Sequence, residues 1–126
     1  NHMLKIFKGP DTWGEKVNFV DDANVVVGYD LASQCCECAD YCFSRDPKTL
    51  TKIDTLDQAT LDLLRFDPES LQESEFEPET ETFCVSFRLV GDDAPWYLIL
   101  SNCQNGYYSH GFTVAVNGKG VRDGSL

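Results

Sequence analysis

The sequence predicts an α+β domain: one antiparallel sheet of about five to six strands, a short cysteine-rich helix on one face of the sheet, and an acidic, partly helical insert. Alternating apolar and polar residues in the first and last thirds of the chain indicate the strands. A stripe of cysteines at helical spacing indicates the helix, and a run of carboxylates indicates the insert. With 126 residues, the chain is long enough for a single domain with its own apolar core.

The first third of the chain predicts a strand followed by a β-hairpin. Residues 1–3 have the character of an expression scar, so we expect the domain to cover residues 4–126. The stretch LKIF predicts a short opening strand, and EKVNFVDDANVVVGYD, residues 15–30, predicts a hairpin with turn residues at 21–24. Gly28 interrupts the second strand of this hairpin, which predicts a bulge or the close approach of another group.

A short helix is predicted over residues 34–43, since residues 33–42 hold four of the six cysteines. Ser33 is a suitable N-cap, and Pro47 lies in the break that follows. A free cysteine behaves as a small hydrophobic side chain, so we expect the helix to pack its thiols against the sheet. At about 100° per residue, one face of the helix collects Cys35, Cys38, Ala39 and Cys42.

The acidic insert is predicted to span residues 54–81. It contains ten acidic residues and one basic residue, so it carries −9 of the net charge of −11. Residues 54–64 have helical character, with Asp54 or Thr55 as the cap, and residues 65–80 predict an exposed acidic loop with one helical turn. This charge repels nucleic acid, and the open alternatives are a solvated loop or a docking surface for a basic protein partner.

The last third of the chain predicts three antiparallel strands, in the stretches TFCVSFRLV, PWYLILSNC and GFTVAVNG. A turn at residues 91–93 separates the first two, and Asn105-Gly106 supplies a hairpin turn signal before the third. We expect these strands to form a meander that joins the N-terminal hairpin in one sheet.

The chain shows no apolar stretch long enough to span a membrane and no signal-peptide pattern, so we expect a cytoplasmic protein without membrane contact. Thiols remain reduced in the cytoplasm, and the clustering of the cysteines argues against a disulfide framework. No cofactor-binding motif is present, because the sequence has no glycine-rich phosphate loop and no serine nucleophile elbow.

Three kinds of chemistry are conceivable at the cysteines: zinc binding, nucleophilic catalysis, and a redox switch at Cys35 and Cys38. The last has the Cys-x-x-Cys spacing but no thioredoxin-like βαβ pattern around it. Zinc needs four ligands, and Cys35, Cys38 and Cys42 have usable spacing. The candidates for the fourth ligand are Cys84, Cys103 and His110. A nucleophilic thiol needs a depressed pKa and a base. Its candidates are Cys35 or Cys36 near the predicted helix start, His110 as the base, and Glu37 or Asn102 as the group that orients the base. The structural alternative is a buried stripe of cysteines and a hydrogen-bonded histidine.

The expected function is that of a non-enzymatic protein-interaction module with an unidentified partner. Aromatic side chains with a polar group are favoured at recognition surfaces, and residues 102–110 bring several of them together. The acidic insert is the second candidate surface. The alternative function is a thiol- or metal-dependent enzyme centred on the cysteines and His110. The candidate binding residues are Asn102, Asn105, Tyr107, Tyr108, His110, Glu73, Glu75, Glu77 and Glu79.

Four stretches together resemble a family of uncharacterised bacterial and phage proteins: VNFVDDANVVVGYD, CCE at residues 35–37, FRLV at residues 87–90, and SNCQNGYYSHGF at residues 101–112. The two more specific motifs are the Cys-Cys-Glu stretch and the Asn-Gly-Tyr-Tyr-x-His-Gly turn. The resemblance implies a shared fold and no assigned activity. It also makes a phage-related inhibitor, acting through its acidic surface, one form of the expected interaction module.

Overall fold

A computed structural model describes residues 3–11, 14–31, 39–45, 53, 55–71, 83–93, 95–102 and 110–126 of the chain. These residues form nine β-strands, one short α-helix and one 3-10 helix. The strands are β1 (Lys5–Asp11), β2 (Gly14–Val20), β3 (Val25–Asp30), β4 (Ala39–Ser44), β5 (Arg65–Phe66), β6 (Phe83–Val90), β7 (Trp96–Asn102), β8 (Gly111–Val116) and β9 (Lys119–Ser125). The α-helix, α1, is Gln58–Leu61, and the 3-10 helix, η1, is Pro68–Ser70.

The strands form two antiparallel sheets, so the prediction of an α+β fold with a single sheet is wrong. Sheet A has the order β1-β2-β3-β8-β9, and sheet B has the order β4-β7-β6-β5. The predicted hairpin of residues 15–30 is confirmed as β2 and β3, and β6 and β7 pair as predicted. β8 does not continue that meander. It pairs with β3 instead, with Val114 opposite Val27, and thereby joins the last third of the chain to the N-terminal sheet.

The two sheets enclose one apolar core. Alternate residues of each strand point inward, so Phe19 of sheet A meets Phe43 of sheet B edge-on, with ring centroids 6.4 Å apart. Farther along the core, the rings of Phe87 and Phe112 join the sheets in the same way at 6.3 Å. The core side chains that are fully buried include Val17, Phe19, Val27, Tyr29 and Val114 of sheet A and Phe43, Phe87, Leu89, Leu98 and Leu100 of sheet B.

The predicted cysteine-rich helix is wrong over residues 39–43, because these residues belong to β4. Tyr41 and Phe43 pair with Leu100 and Leu98 of β7, and their rings contact Phe19 of sheet A. A period of two therefore governs this stretch: its aromatic residues face the core, and Cys42 faces the opposite side. Residues 34–38 lie outside the described part of the chain.

The middle of the outer face of sheet B is buried even though it points away from the core between the sheets. Cys42, Ile99 and Ser86 lie side by side on β4, β7 and β6, and each is less than 5% exposed. Cys42 therefore occupies a buried position, as expected of a cysteine that fills space, but it does so on a strand. Cys84 lies on the same face of β6 and is partly exposed.

The described part of the acidic insert contains little helix, which contradicts the predicted helical insert. In residues 55–71, α1 has four residues and is capped by Asp57, whose carboxylate accepts the Thr60 N–H at 2.9 Å. The predicted acidic loop begins with a strand, β5, which pairs with the end of β6, followed by η1. Residues 72–82 lie outside the described part. Among the described residues, no helix has the length and apolar character needed to cross a membrane.

Asp21 connects the β2–β3 turn to sheet B. Its Oδ1 accepts the backbone N–H groups of Ala23 and Val25 at 3.0 and 2.9 Å, which closes the turn. Its Oδ2 accepts the backbone N–H of Phe66 in β5 at 3.0 Å. The side chain is only 5% exposed, so one buried carboxylate satisfies three backbone donors and ties the two sheets together at this end. We call this the turn end of the sandwich.

Two glycines lie where a side chain would meet a close neighbour. A Cβ built on Gly28 would lie 2.8 Å from Asn18 Oδ1, which confirms the predicted close approach. A Cβ on Gly124 of β9 would lie 2.7 Å from the Phe112 ring, which packs across this glycine and is 4% exposed. The second position is the tighter one, because a buried ring has less room to move than the end of an amide side chain.

We expect Gly124→Ala to lower the free energy of unfolding by about 1–3 kcal/mol, because the added methyl group displaces the Phe112 ring from its packed position. Gly120→Ala is the matched control on the same strand, since a Cβ there meets nothing within 4 Å. Urea denaturation of both variants measures the difference. Equal stability of the two variants would contradict the described packing of Phe112 on β9.

Candidate functional site

The chain segments 32–38 and 103–109, which carry half of the predicted site residues, are anchored at the same end of the sandwich. Segment 32–38 connects β3 to β4, and segment 103–109 connects β7 to β8. In sheet B, the first residue of β4, Ala39, is paired with the last residue of β7, Asn102. In sheet A, the end of β3 is paired with the start of β8, where Tyr29 lies opposite Phe112. Loops at the ends of a sandwich are common positions for binding residues, because the sheets hold their anchor points rigidly.

Three buried polar side chains fix these anchor points. The Tyr29 hydroxyl donates to the Ser101 carbonyl at 2.8 Å and so links sheet A to sheet B. The Asn102 Nδ2 group donates to the Leu126 carbonyl at 3.0 Å, which makes a second link. His110 lies beside Tyr29, with ring centroids 6.3 Å apart. We call Tyr29, Asp30, Asp40, Cys84, Ser101, Asn102 and His110 the polar end of the sandwich.

Hydrogen bonds of both the backbone and the imidazole ring hold His110 in the interior. Its backbone N–H and C=O exchange hydrogen bonds with Leu126, each at 2.9 Å. Its Nδ1 lies 2.9 Å from the Asp30 carbonyl oxygen, and because a carbonyl only accepts, Nδ1 carries the proton in this contact. The residue is 2% exposed. These contacts make His110 a connection between the start of β8, the end of β3 and the C-terminal residue.

Tyr29 has a strongly perturbed phenol. Burial raises the pKa of its hydroxyl far above the usual value near 10, and the nearby Asp30 carboxylate raises it further. The folded state therefore keeps the proton at alkaline pH, where the unfolded chain releases it. The resulting stability is fully present below about pH 10 and is lost progressively as the pH rises above that value.

We expect Tyr29→Phe to reduce this alkaline destabilisation. Between about pH 10 and 11, the wild-type chain should lose about 1 kcal/mol more of its free energy of unfolding than the variant does. Urea denaturation at several pH values measures both curves. Tyr41→Phe is the control, since it removes a phenol hydroxyl from a half-buried ring elsewhere in the core. Parallel curves for wild type and Tyr29→Phe would contradict a buried, hydrogen-bonded phenol.

The structure brings together only some of the predicted site residues. Asn102 and His110 both lie at the polar end, and both are buried rather than presented at the surface. Cys42 lies in the middle of β4, on the outer face of sheet B. Within the described ranges, no group of three or more potential metal ligands is present. The other predicted residues lie outside the described part of the chain: Cys35, Cys36, Glu37, Cys38, Glu73, Glu75, Glu77, Glu79, Asn105, Tyr107 and Tyr108.

Sequence reasoning missed Tyr29 and Asp21 as polar side chains that connect the sheets. Tyr29 follows the apolar run of β3, and its alternation with Asp30 could have marked it as an inward-facing residue. The position of Asp21 at a turn indicated a role within the turn, but its bond to Phe66 joins residues far apart in the sequence.

The described residues of the polar end are suited to holding two connecting segments in place. Their hydrogen bonds are directed mainly at backbone carbonyls of neighbouring strands, which is the pattern of a structural scaffold. The chemistry available at this end therefore depends on the side chains that the two segments carry.

Comparisons with family models, with curated proteins and with solved structures find no match to this chain.

Proposed function

We propose that the chain is a non-enzymatic protein-interaction module that binds its partner at the polar end of the sandwich. The observation that supports this proposal is the convergence of two segment anchors, Leu31 to Ala39 and Asn102 to His110, on one end of two packed sheets that buried side-chain hydrogen bonds hold together. Segment 103–109 carries Tyr107 and Tyr108, whose side chains combine large contact area with a polar group.

The acidic stretch supplies the second part of the proposal. Residues 72–82 lead into β6, whose first residue, Phe83, pairs with Asn102 at the polar end. The carboxylates Glu73, Glu75, Glu77 and Glu79 precede this point in the sequence. A basic partner is the chemistry that such a charge favours, because complementary charge accelerates association.

The burial of His110 favours binding over thiol catalysis at this end. A general base must reach the proton that it abstracts, and His110 is only 2% exposed. The alternative enzyme, with Cys35, Cys36 and Glu37 around His110, remains a hypothesis. A titration of thiol reactivity against pH tests it directly, since a catalytic thiol reacts with an apparent pKa well below about 8.5.

Affinity capture from a native lysate of the source organism tests the interaction module. The wild-type chain is expected to retain a partner that is lost with Tyr107→Ser and Tyr108→Ser combined, or with Gln at positions 73, 75, 77 and 79. Leu63→Ser is the matched control, since Leu63 is a 49% exposed apolar residue that follows α1, away from the polar end. Capture that is equal in wild type and all variants, or the absence of any captured protein, would contradict the proposal.

A further inference from the structure

Three cysteines belong to, or directly adjoin, the ends of three neighbouring strands of sheet B at the polar end. Cys84 is the second residue of β6, Cys38 directly precedes β4, and Cys103 directly follows β7. The strand ends are themselves paired, with Ala39 of β4 opposite Asn102 of β7. Consecutive Cα atoms are about 3.8 Å apart, so the chain itself keeps Cys38 and Cys103 near this paired end.

The outer face of sheet B at this end is polar and reachable from solvent. Cys84 of β6 lies opposite Ser101 of β7, and Ser101 lies opposite Asp40 of β4. Asp40 is exposed, and the other two residues are partly exposed. The Asp40 Oδ1 accepts the N–H of Tyr41 at 2.8 Å, which orients the carboxylate. A thiol and a carboxylate thus flank the small side chain of Ser101 on the strand between them.

We propose that β4 and β7 continue their ladder by one residue, and that Cys38, Cys84 and Cys103, with Asp40, bind a zinc ion on this face. The continued antiparallel register sets Cys38 opposite Cys103, since the preceding pair is already formed. Residues two apart on a strand face the same side, so both thiols share the face of Asp40 and Ser101. Cys84 is then the diagonal neighbour of Cys103, at about 7–8 Å between Cα atoms.

A zinc ion fits this spacing of the thiols better than a disulfide does. A disulfide joins residues whose Cα atoms are about 4.4–6.8 Å apart, which suits a directly opposite pair but not the diagonal position of Cys84. Zinc–sulfur bonds of about 2.3 Å set two thiolates on a tetrahedral ion about 3.8 Å apart, so one ion can hold all three thiols. Thiolate ligands select zinc over magnesium and calcium, and the net charge of −11 favours a cation.

The described residues argue against two of the ligands that helical spacing indicated. Cys42 lies on β4 four residues from Cys38, which is about 13 Å along a strand. The imidazole Nδ1 of His110 contacts the Asp30 carbonyl, and the residue is 2% exposed. The zinc site is therefore centred on the ends of β4, β6 and β7. An ion there holds segments 32–38 and 103–109 together at their anchor points.

Metal content of the full chain, loaded with zinc in the presence of a reductant and then desalted, tests the site. The wild-type chain is expected to retain one equivalent of zinc. Cys38→Ala, Cys84→Ala and Cys103→Ala should each raise the zinc dissociation constant at least about tenfold, since each removes a thiolate ligand. Cys42→Ala is the matched control and should bind zinc as the wild type does, because its thiol lies on the same face of β4 but away from the site.

Cobalt provides a readout that identifies the ligands. Bound to the wild-type chain in place of zinc, cobalt should show the charge-transfer absorption of three thiolates, and Cys84→Ala should show that of two. Circular dichroism confirms that each variant keeps its β-sheets before the metal is measured. A chelator should lower the unfolding temperature of the zinc-loaded wild type and leave that of Cys84→Ala unchanged, because a structural zinc stabilises the folded state.

A wild-type chain that retains no zinc would overturn the proposal, as would a Cys42→Ala variant that loses as much zinc as Cys84→Ala. A disulfide between Cys38 and Cys103 that persists in the reductant and leaves no zinc bound would also overturn it. The site does not rest on the proposed protein partner. Metal content is measured with no partner present, so either proposal can fail without the other.

Discussion

Phe87→Ala is expected to lower the free energy of unfolding by about 3–5 kcal/mol. Phe87 is fully buried on β6 and contacts both sheets: its ring meets Phe66 of sheet B edge-on at 6.4 Å and Phe112 of sheet A at 6.3 Å. The Arg122 guanidinium of β9 lies 5.9 Å from the same ring. Truncation therefore leaves a cavity between the sheets and removes ring contacts on both sides. Urea denaturation at micromolar concentration measures the loss.

Phe7→Ala is the matched control for this prediction. It removes the same side chain from the outside of sheet A, where Phe7 is 54% exposed, so the free energy of unfolding should change by less than about 1 kcal/mol. Comparable losses in the two variants would contradict a core that lies between the sheets. The comparison is informative because Phe7 and Phe87 are both strand residues and differ mainly in the face on which they lie.

Asp21→Ala is expected to lower the free energy of unfolding by about 2–4 kcal/mol. Three backbone N–H groups, those of Ala23, Val25 and Phe66, lose their acceptor at once, and each buried donor that stays unsatisfied costs about 1–3 kcal/mol before relaxation. Asp21→Asn should cost less. In this variant the side-chain carbonyl oxygen can still accept the N–H groups of Ala23 and Val25. The NH₂ group then lies beside the Phe66 N–H and cannot accept its hydrogen bond.

Asp22→Ala is the control for Asp21, since it removes the neighbouring carboxylate from an exposed position in the same turn. Its effect on the free energy of unfolding should be within about 0.5 kcal/mol. If Asp21→Ala were as mild as Asp22→Ala, the carboxylate would not be the link between the turn end and β5. Hydrogen exchange of the Phe66 amide, measured in both variants, locates the effect.

The local sequence pattern was sufficient to predict the strands in which apolar and polar residues alternate clearly. β2, β3, β6, β7 and β8 were all predicted, because Val85, Phe87 and Leu89 on β6, and comparable residues on the others, recur with a period of two. β9 was missed. It carries glycine and charged residues in place of an apolar alternation, and its only strong signal is the turn at Asn117 and Gly118, where both residues have positive φ.

The errors in the fold prediction arose where local pattern is ambiguous or where pairing is distant. The cysteine stripe fits a helix by spacing, but Tyr41 and Phe43 also alternate, and the aromatic contacts of β4 with β7 and Phe19 favoured the strand. No local pattern indicates that β8 pairs with β3, since the two strands are separated by most of the chain. The same alternation of apolar and polar residues is therefore expected whether the strands form a single sheet or two packed sheets.

The binding role of the predicted site residues stays a prediction. The sequence marked His110 and Asn102, and the structure places both at one end of the sandwich, in buried positions that support the strands. It could not indicate that their neighbour is Tyr29, because that contact depends on the packing of one sheet on the other.

The pairing of β8 with β3 tests the account most directly, because it divides the chain into two sheets. Nuclear Overhauser contacts between backbone protons of an isotopically labelled chain measure it. The account predicts cross-strand contacts between the stretch at Val26 and Gly28 and the stretch at Thr113 and Ala115, in antiparallel register. Contacts of β8 with β7 in their place, as in a single continuous meander, would contradict it.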